Sequence, residues 1–361
     1  MIPVTKPYLP AKETYLKLLD EVWQRNWLTN NGPLVNELEL ELKEKLGLKH
    51  VLFVSNGTIA IQMALKALRL KGEIITTPFS YVATTSSIIW EGCKPVFADI
   101  DAHTFNIDVN KVEKAITKET KAVLATHVFG NPCDVVALEA ICKKHKLKLI
   151  YDGAHAFGVK VNGKSIFEYG DIATCSFHST KLFHTVEGGM VTTNESETLR
   201  LLSLHRNFGH NGPEKFDAVG INGKNSEFHA AMGLSILPDF DKIVTRREQL
   251  TAIYNDMLVN FKGSKQSIKG GVTYNYAYYP LLFESEQKVL ATIAELNKNW
   301  IYPRRYFYPS LNTIDYLEEK TPCPISENIA SRILCLPLYY DLTEKEVQMI
   351  ARIILRAQQY A

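Results

Sequence analysis

Apolar positions along this chain follow two rhythms. Short apolar runs at 51–54, 73–76, 94–98, 122–126, 147–151, 172–177 and 189–193 read as strands. Between them, apolar residues fall three and four apart, as in Ile59, Met63, Ala67 and Leu70. That spacing predicts helices over 58–70, 81–91, 109–117, 134–145 and 195–206. Two further helices precede this block, at 12–25 and 34–46, the second stopped by Gly47. Strands alternating with helical spacers predict an α/β fold, a mostly parallel sheet covered on both faces.

After residue 206 the pattern changes. Residues 207–227 are rich in Gly and Asn and read as a long connection, which is uncommon unless functional. A helix over 228–237 ends at Pro238, and a long one over 239–261 leads away. Then come a strand at 272–283, a helix at 285–299, the run Tyr302-Pro-Arg-Arg-Tyr-Phe-Tyr-Pro309, a strand at 332–336 and a helix at 343–358. We therefore expect a large domain over residues 1–240 and a smaller α+β domain over 241–361. A chain of 361 residues can bury a full core in each.

Charge and cysteine usage narrow the function classes. The net charge is +2, with 41 basic and 39 acidic residues intermixed, so no basic field suits nucleic acid. No apolar run approaches the roughly 20 residues of a membrane span. The start, Met1-Ile-Pro-Val-Thr-Lys-Pro7, lacks the apolar segment of a secretion signal, and a cytoplasmic location is expected. Cys93, Cys133, Cys142, Cys175, Cys323 and Cys335 are scattered without a CxxC, which argues against a zinc site and a disulfide framework. No GxGxxG follows the first strand, so a nicotinamide fold is disfavoured.

Three short stretches carry candidate chemistry. Lys181 sits in a loop between the runs at 172–177 and 189–193, near apolar walls that favour a neutral amine. A neutral amine can form a Schiff base with a carbonyl. Asp152 stands at the C-terminal end of the 147–151 strand, the edge where open α/β sheets bind ligands. Ser55-Asn-Gly-Thr58 joins a strand to a helix and can cradle an anion on free backbone N–H groups. Taken singly, these are a surface lysine, an Asp-Gly turn and a helix cap. Together they meet the needs of pyridoxal 5'-phosphate: an amine for its carbonyl, a carboxylate for its ring nitrogen and a cradle for its phosphate.

Ser55-Asn-Gly-Thr58, Tyr151-Asp-Gly-Ala-His155 and Ser176-Phe-His-Ser-Thr-Lys181, followed by Glu187-Gly-Gly189, resemble the DegT/DnrJ/EryC/StrS-type sugar aminotransferases, pyridoxal-phosphate enzymes acting on nucleotide-linked keto sugars. The resemblance runs from about Ile2 to about Ile354. It implies a fold-type-I aminotransferase, a homodimer with shared active sites, glutamate as amino donor and no metal. It implies Lys181 as the catalytic lysine and Asp152 as the partner of the ring nitrogen. It adds Asn56, Gly57, Thr58 and Ser176 near the phosphate, Tyr81 stacked on the ring, His155 by the phenolic oxygen and Asn222 reaching the partner's phosphate. Thr29, Asn30, Gly32, His184, Glu187, Arg304, Arg305 and Tyr308 are the candidate sugar-nucleotide contacts. Arginine matches phosphate geometry, so Arg304 and Arg305 suit a diphosphate; a solvated turn over buried aromatics is the other reading.

The chain also departs from the family pattern. It has Lys224 for the usual arginine, Asn225 for an apolar residue, Val186 for a common glycine and Gly153 for a common alanine. Its segments at 2–10, 27–33, 220–227 and 302–309 look most like the branch that aminates C4 of dTDP-4-keto-6-deoxy-D-glucose for surface polysaccharide such as the O-antigen of lipopolysaccharide. Alternatives are a UDP- or GDP-linked 4-keto sugar, a dTDP-3-keto sugar, a sugar dehydratase or a non-enzymatic regulator. Dehydratases of this fold carry histidine at the position of Lys181.

Overall fold

The computed structural model describes residues 1–360. Seven strands form the central sheet, in the spatial order 51–54, 189–192, 172–176, 148–152, 120–126, 73–76 and 94–97. Only Gly189–Thr192 runs against its neighbours. The others are parallel across each ladder they share, as the alternating pattern predicts.

The side-chain period of two along each strand builds the two-faced core. Phe53, Ile75, Val123, Leu149, Tyr151, Ala173 and Met190 face the helices 33–46, 135–145 and 227–236. Their sequence neighbours Leu52, Val54, Ile74, Leu124, Ile150, Ile172 and Val191 face the helix 57–67 and Leu202. Both faces are thus dry, which is why these strands read as continuous apolar runs rather than alternating ones.

A second core lies toward the C-terminus. Tyr254, Tyr279, Leu281, Leu296, Leu334 and Ile350 pack together, and Ile2 joins them from the start of the chain. Ile2–Pro3 pairs in parallel with Ile301–Tyr302. The helix Phe240–Met257 serves both cores, with Phe240 and Ile243 in the first and Leu250 and Tyr254 in the second.

Several element bounds differ from expectation. The strand expected over 272–283 is two pieces, Val272–Thr273 and Tyr279–Phe283. Between them Asn275 turns inward, donating to the carbonyls of His155 (2.8 Å) and Phe157 (3.0 Å), so the chain leaves the extended ladder. The helix expected from residue 81 begins at Ala83, leaving Tyr81 ahead of it. The helix Pro324–Arg332 was not anticipated; its proline at the first turn fits the rule for helix starts.

Candidate active site

Four strands and one helix deliver their ends to one place. Asn56 caps the helix Gly57–Ala67 by accepting the N–H of Ile59 (2.8 Å). That commits its side-chain oxygen to the helix. The N–H groups of Gly57 and Thr58 have no acceptor within the helix and remain available to an anion. Gly57 is required here: a Cβ would lie 2.8 Å from the Cβ of Ser176. The helix start and the end of the 172–176 strand therefore touch, placing the Ser176 hydroxyl beside the free N–H groups.

Asp152 ends the 148–152 strand and is buried. Oδ1 accepts the N–H of Ala154 (3.0 Å) and Oδ2 accepts the hydroxyl of Thr84 (2.9 Å). Burial raises its pKa, opposed by these two donors and by the charge of Lys181. Lys181 lies in the loop after the 172–176 strand, held by its N–H to the His178 carbonyl (2.8 Å). Burial lowers the Lys181 pKa, and the nearby Asp152 opposes that shift. The result is an amine biased toward its neutral form beside a carboxylate held by two donors.

Both face a cavity of about 580 Å³ lined also by Asn56, Gly57, Thr58, Tyr81, His155, Ser176, Glu187 and Arg304. Tyr81 is 60% exposed at its edge. His155 is packed parallel to Phe307 (centroids 5.5 Å apart) and its Nδ1 accepts the N–H of Phe129 (3.2 Å). Nε2 therefore carries the proton in the neutral ring, and burial keeps the ring neutral by lowering its pKa. Free N–H groups, a buried carboxylate, a desolvated amine and a glycine that clears the cradle fit pyridoxal 5'-phosphate.

The other candidate residues lie elsewhere. Thr29 and Asn30 are exposed on a turn closed by the Trp27 indole donating to the Thr29 carbonyl (2.5 Å). Gly32 precedes the helix 33–46, where a Cβ would strike the Glu227 carboxylate at 2.4 Å. Glu227 needs that space because it accepts the N–H groups of Leu34 and Val35, each at 2.9 Å. Gly32 is thus tied to a helix cap. His184 is buried outside the cavity, with Nε2 on the Tyr8 carbonyl (2.7 Å) and Nδ1 accepting from Val186 (3.2 Å). Arg305 donates to Glu286 (2.5 Å) and to the Ser331 carbonyl (2.9 Å), with its guanidinium 3.6 Å from the Tyr308 ring centroid. Asn222 is exposed and its segment pairs with Asn207. Lys224, the arginine replacement, donates to Asn207 (2.8 Å) in its own chain.

The cavity also holds Ser80, Thr180 and Tyr278, which the sequence reading passed over, and His178, Tyr306 and Phe307, which it noted within their motifs without an individual role. Thr84 was missed as well. A signal existed, since Thr84-Thr85-Ser86-Ser87 is a hydroxyl-rich stretch inside an otherwise apolar helix, where such residues need a reason.

Residues 10–355 match the DegT/DnrJ/EryC1/StrS aminotransferase family. The chain is 40% identical over 357 residues to the dTDP-4-amino-4,6-dideoxy-D-glucose transaminase of Shigella dysenteriae, covering 97% of each. It is 37% identical to the Escherichia coli protein of the same description, covering 98% of each. The crystal structure of DesI in the presence of its TDP-sugar product superposes with a TM-score of 0.94 at 30% identity, over 99% of this chain and 93% of that one. The match spans both cores and the strand ends that carry Asp152 and Lys181, and the chain belongs to the DegT/DnrJ/EryC1/StrS aminotransferase family of pyridoxal-phosphate-dependent transaminases.

Proposed function

We propose that this protein moves the amino group of glutamate to C4 of a nucleotide-linked 4-keto-6-deoxy sugar, dTDP-4-keto-6-deoxy-D-glucose. The observation that carries the reading is the convergence of Lys181 and Asp152 on one cavity beside an open helix start. The choice of sugar rests on the two transaminases at 40% and 37% identity.

Pyridoxal 5'-phosphate, when bound, supplies the carbonyl that takes up the amine and the electron sink that delocalises the charge left at carbon. Gly57, Thr58 and Ser176 would hold its phosphate. Asp152 would hold the proton on its ring nitrogen, because a buried carboxylate is most stable beside a cation. Lys181 would anchor it through its amine and would serve as the neutral base that takes the proton from the donor's Cα. In the second half-reaction Lys181 would return a proton while the amino group taken from glutamate, which has left as its 2-keto acid, replaces the C4 keto oxygen of the sugar, and that oxygen leaves as water. Tyr306, Phe307 and Tyr278 wall the cavity on the C-terminal side and limit water around Lys181.

The working unit is a homodimer with shared sites. Asn222 is exposed, and Phe208, Phe216, Val219 and Ile221 expose apolar surface along the same segment. A cytoplasmic location belongs to the same reading; no helix among the described residues is long and apolar enough to cross a membrane. The enzyme's product feeds surface polysaccharide such as the O-antigen. The test is incubation with glutamate and dTDP-4-keto-6-deoxy-D-glucose, with the product read by mass and proton spectra. A clear preference for a 3-keto isomer or another nucleotide overturns the sugar while leaving aminotransfer standing.

A further inference from the structure

Asp152 is the end of a buried chain of hydroxyls. Thr84 Oγ1 donates to Asp152 Oδ2 at 2.9 Å. Ser80 Oγ lies 2.8 Å from Thr84 Oγ1, and Thr126 Oγ1 lies 3.1 Å from Ser80 Oγ. None of the three hydroxyl residues is more than 2% exposed. Each hydroxyl has one hydrogen to give. Thr84 spends its hydrogen on Asp152, so it accepts from Ser80, and Ser80 in turn accepts from Thr126. The direction of the whole chain is set by the carboxylate at its end.

The sheet places these groups. Thr126 is the register partner of Asp152 across the parallel ladder, so both side chains leave the same face. Ser80 follows the neighbouring 73–76 strand, and Thr84 opens the helix behind it. Three elements thus supply one chain of hydroxyls that ends, through Thr84, on one oxygen of Asp152, while the other oxygen takes the Ala154 N–H (3.0 Å). Aligned hydroxyls in a dry site polarise one another and strengthen the last bond to the anion.

We propose that Thr84, backed by Ser80 and Thr126, is a positioning residue. It keeps Asp152 ionised and oriented toward the ring nitrogen of pyridoxal 5'-phosphate. This deepens the reading of Asp152 above and rests on it. Without the hydroxyl chain, burial drives the carboxyl toward its neutral form and the proton on the ring nitrogen loses its partner.

The test compares Thr84→Val, Thr84→Ser, Ser80→Ala and Asp152→Asn with the parent protein. Two quantities are read: the affinity of apo-protein for pyridoxal 5'-phosphate by fluorescence, and kcat and KM for glutamate. Thr84→Val should lower kcat and cofactor affinity about tenfold, the scale of one hydrogen bond to a charged group. The KM for glutamate should change less than about twofold, since Thr84 touches no substrate. Thr84→Ser should restore both, and Ser80→Ala should give a loss of about threefold. In an Asp152→Asn background Thr84→Val should add nothing further. Unchanged affinity and kcat in Thr84→Val, failure of Thr84→Ser to recover, or a full Thr84→Val effect on top of Asp152→Asn would each overturn the proposal. If Thr84→Val does not fold, Ser80→Ala decides, and parental behaviour there refutes it. Parental kinetics in Asp152→Asn would refute the role of Asp152 itself, a separate outcome.

Discussion

The two sides of the cavity are built differently. On the sheet side, Asp152, Thr84, Ser80 and Thr126 are buried, and each engaged oxygen has a named partner. On the outer side, Tyr81 is 60% exposed and Arg304 is exposed with no carboxylate partner among the described residues. A dry site makes charge interactions strong and leaves little freedom, which suits a resident cofactor. An exposed rim with an unpaired cation suits anionic ligands that come and go. The contrast teaches that one cavity can pair a dry, fully partnered wall at the strand ends with an exposed, cationic rim on the loops.

Removing the amine on the sheet side should have the largest effect. Lys181→Ala should lower turnover by at least about 10⁴-fold, combining loss of the base and of the anchor. Reduction with borohydride followed by mass analysis should then find no cofactor on the chain. Attachment at another lysine would break the comparison.

The sheet side should also respond to acid. His127 is fully buried, stacked on Tyr151 with centroids 4.6 Å apart, and burial pushes its pKa down to about 3. The unfolded chain takes up that proton near the usual imidazole value of about 6.5. Stability from this group is therefore whole above about pH 6.5 and falls as the pH drops toward 3. The slope is about 1.4 kcal/mol per pH unit for one group. His155 is shifted in the same direction and adds to it. Urea unfolding at several pH values should show His127→Gln flattening this slope by one group's share.

On the rim, the two adjacent arginines should separate. Arg304 is pinned by reciprocal backbone bonds with Cys335 (3.2 and 2.8 Å) and lines the cavity. Arg304→Ala should raise the KM of an anionic substrate about tenfold with a smaller change in kcat. Arg305 is held by Glu286 and Ser331, so Arg305→Ala should leave KM within about twofold and cost about 1 kcal/mol of stability. The reverse pattern would show that the diphosphate reading of Arg305 was right.

The last effect, on stability alone, concerns the loop between Lys181 and Glu187. Val186 has φ of +68°, a left-handed conformation that a β-branched residue adopts at a cost. Val186→Gly should stabilise the fold by about 1 kcal/mol, read from the urea midpoint. A loss of stability would show that the valine side chain is held by contacts that outweigh its strain.

The parts legible in the sequence share a physical trait: they are local. The strands at 51–54, 73–76 and 189–192 and the helices after them announce themselves because burial on both faces and helical spacing leave their mark within a few residues. Asp152, Lys181 and the turn at 55–58 were legible for the same reason, since each sits at the end of such an element or in the loop that follows it. What the linear order could not decide was which ends meet. Thr84 reaches Asp152 across 68 positions, and Glu227 caps a helix 193 positions earlier. Arg304 and Arg305 are neighbours in sequence, yet one lines the cavity and the other is bound to Glu286. Sequence alone determined the α/β alternation and the chemistry carried to the strand ends, because hydrophobic period and turn residues act over short range. Only the tertiary structure decided which polar groups are buried together and which face solvent, because desolvation and hydrogen-bond partnership depend on segments brought from far along the chain.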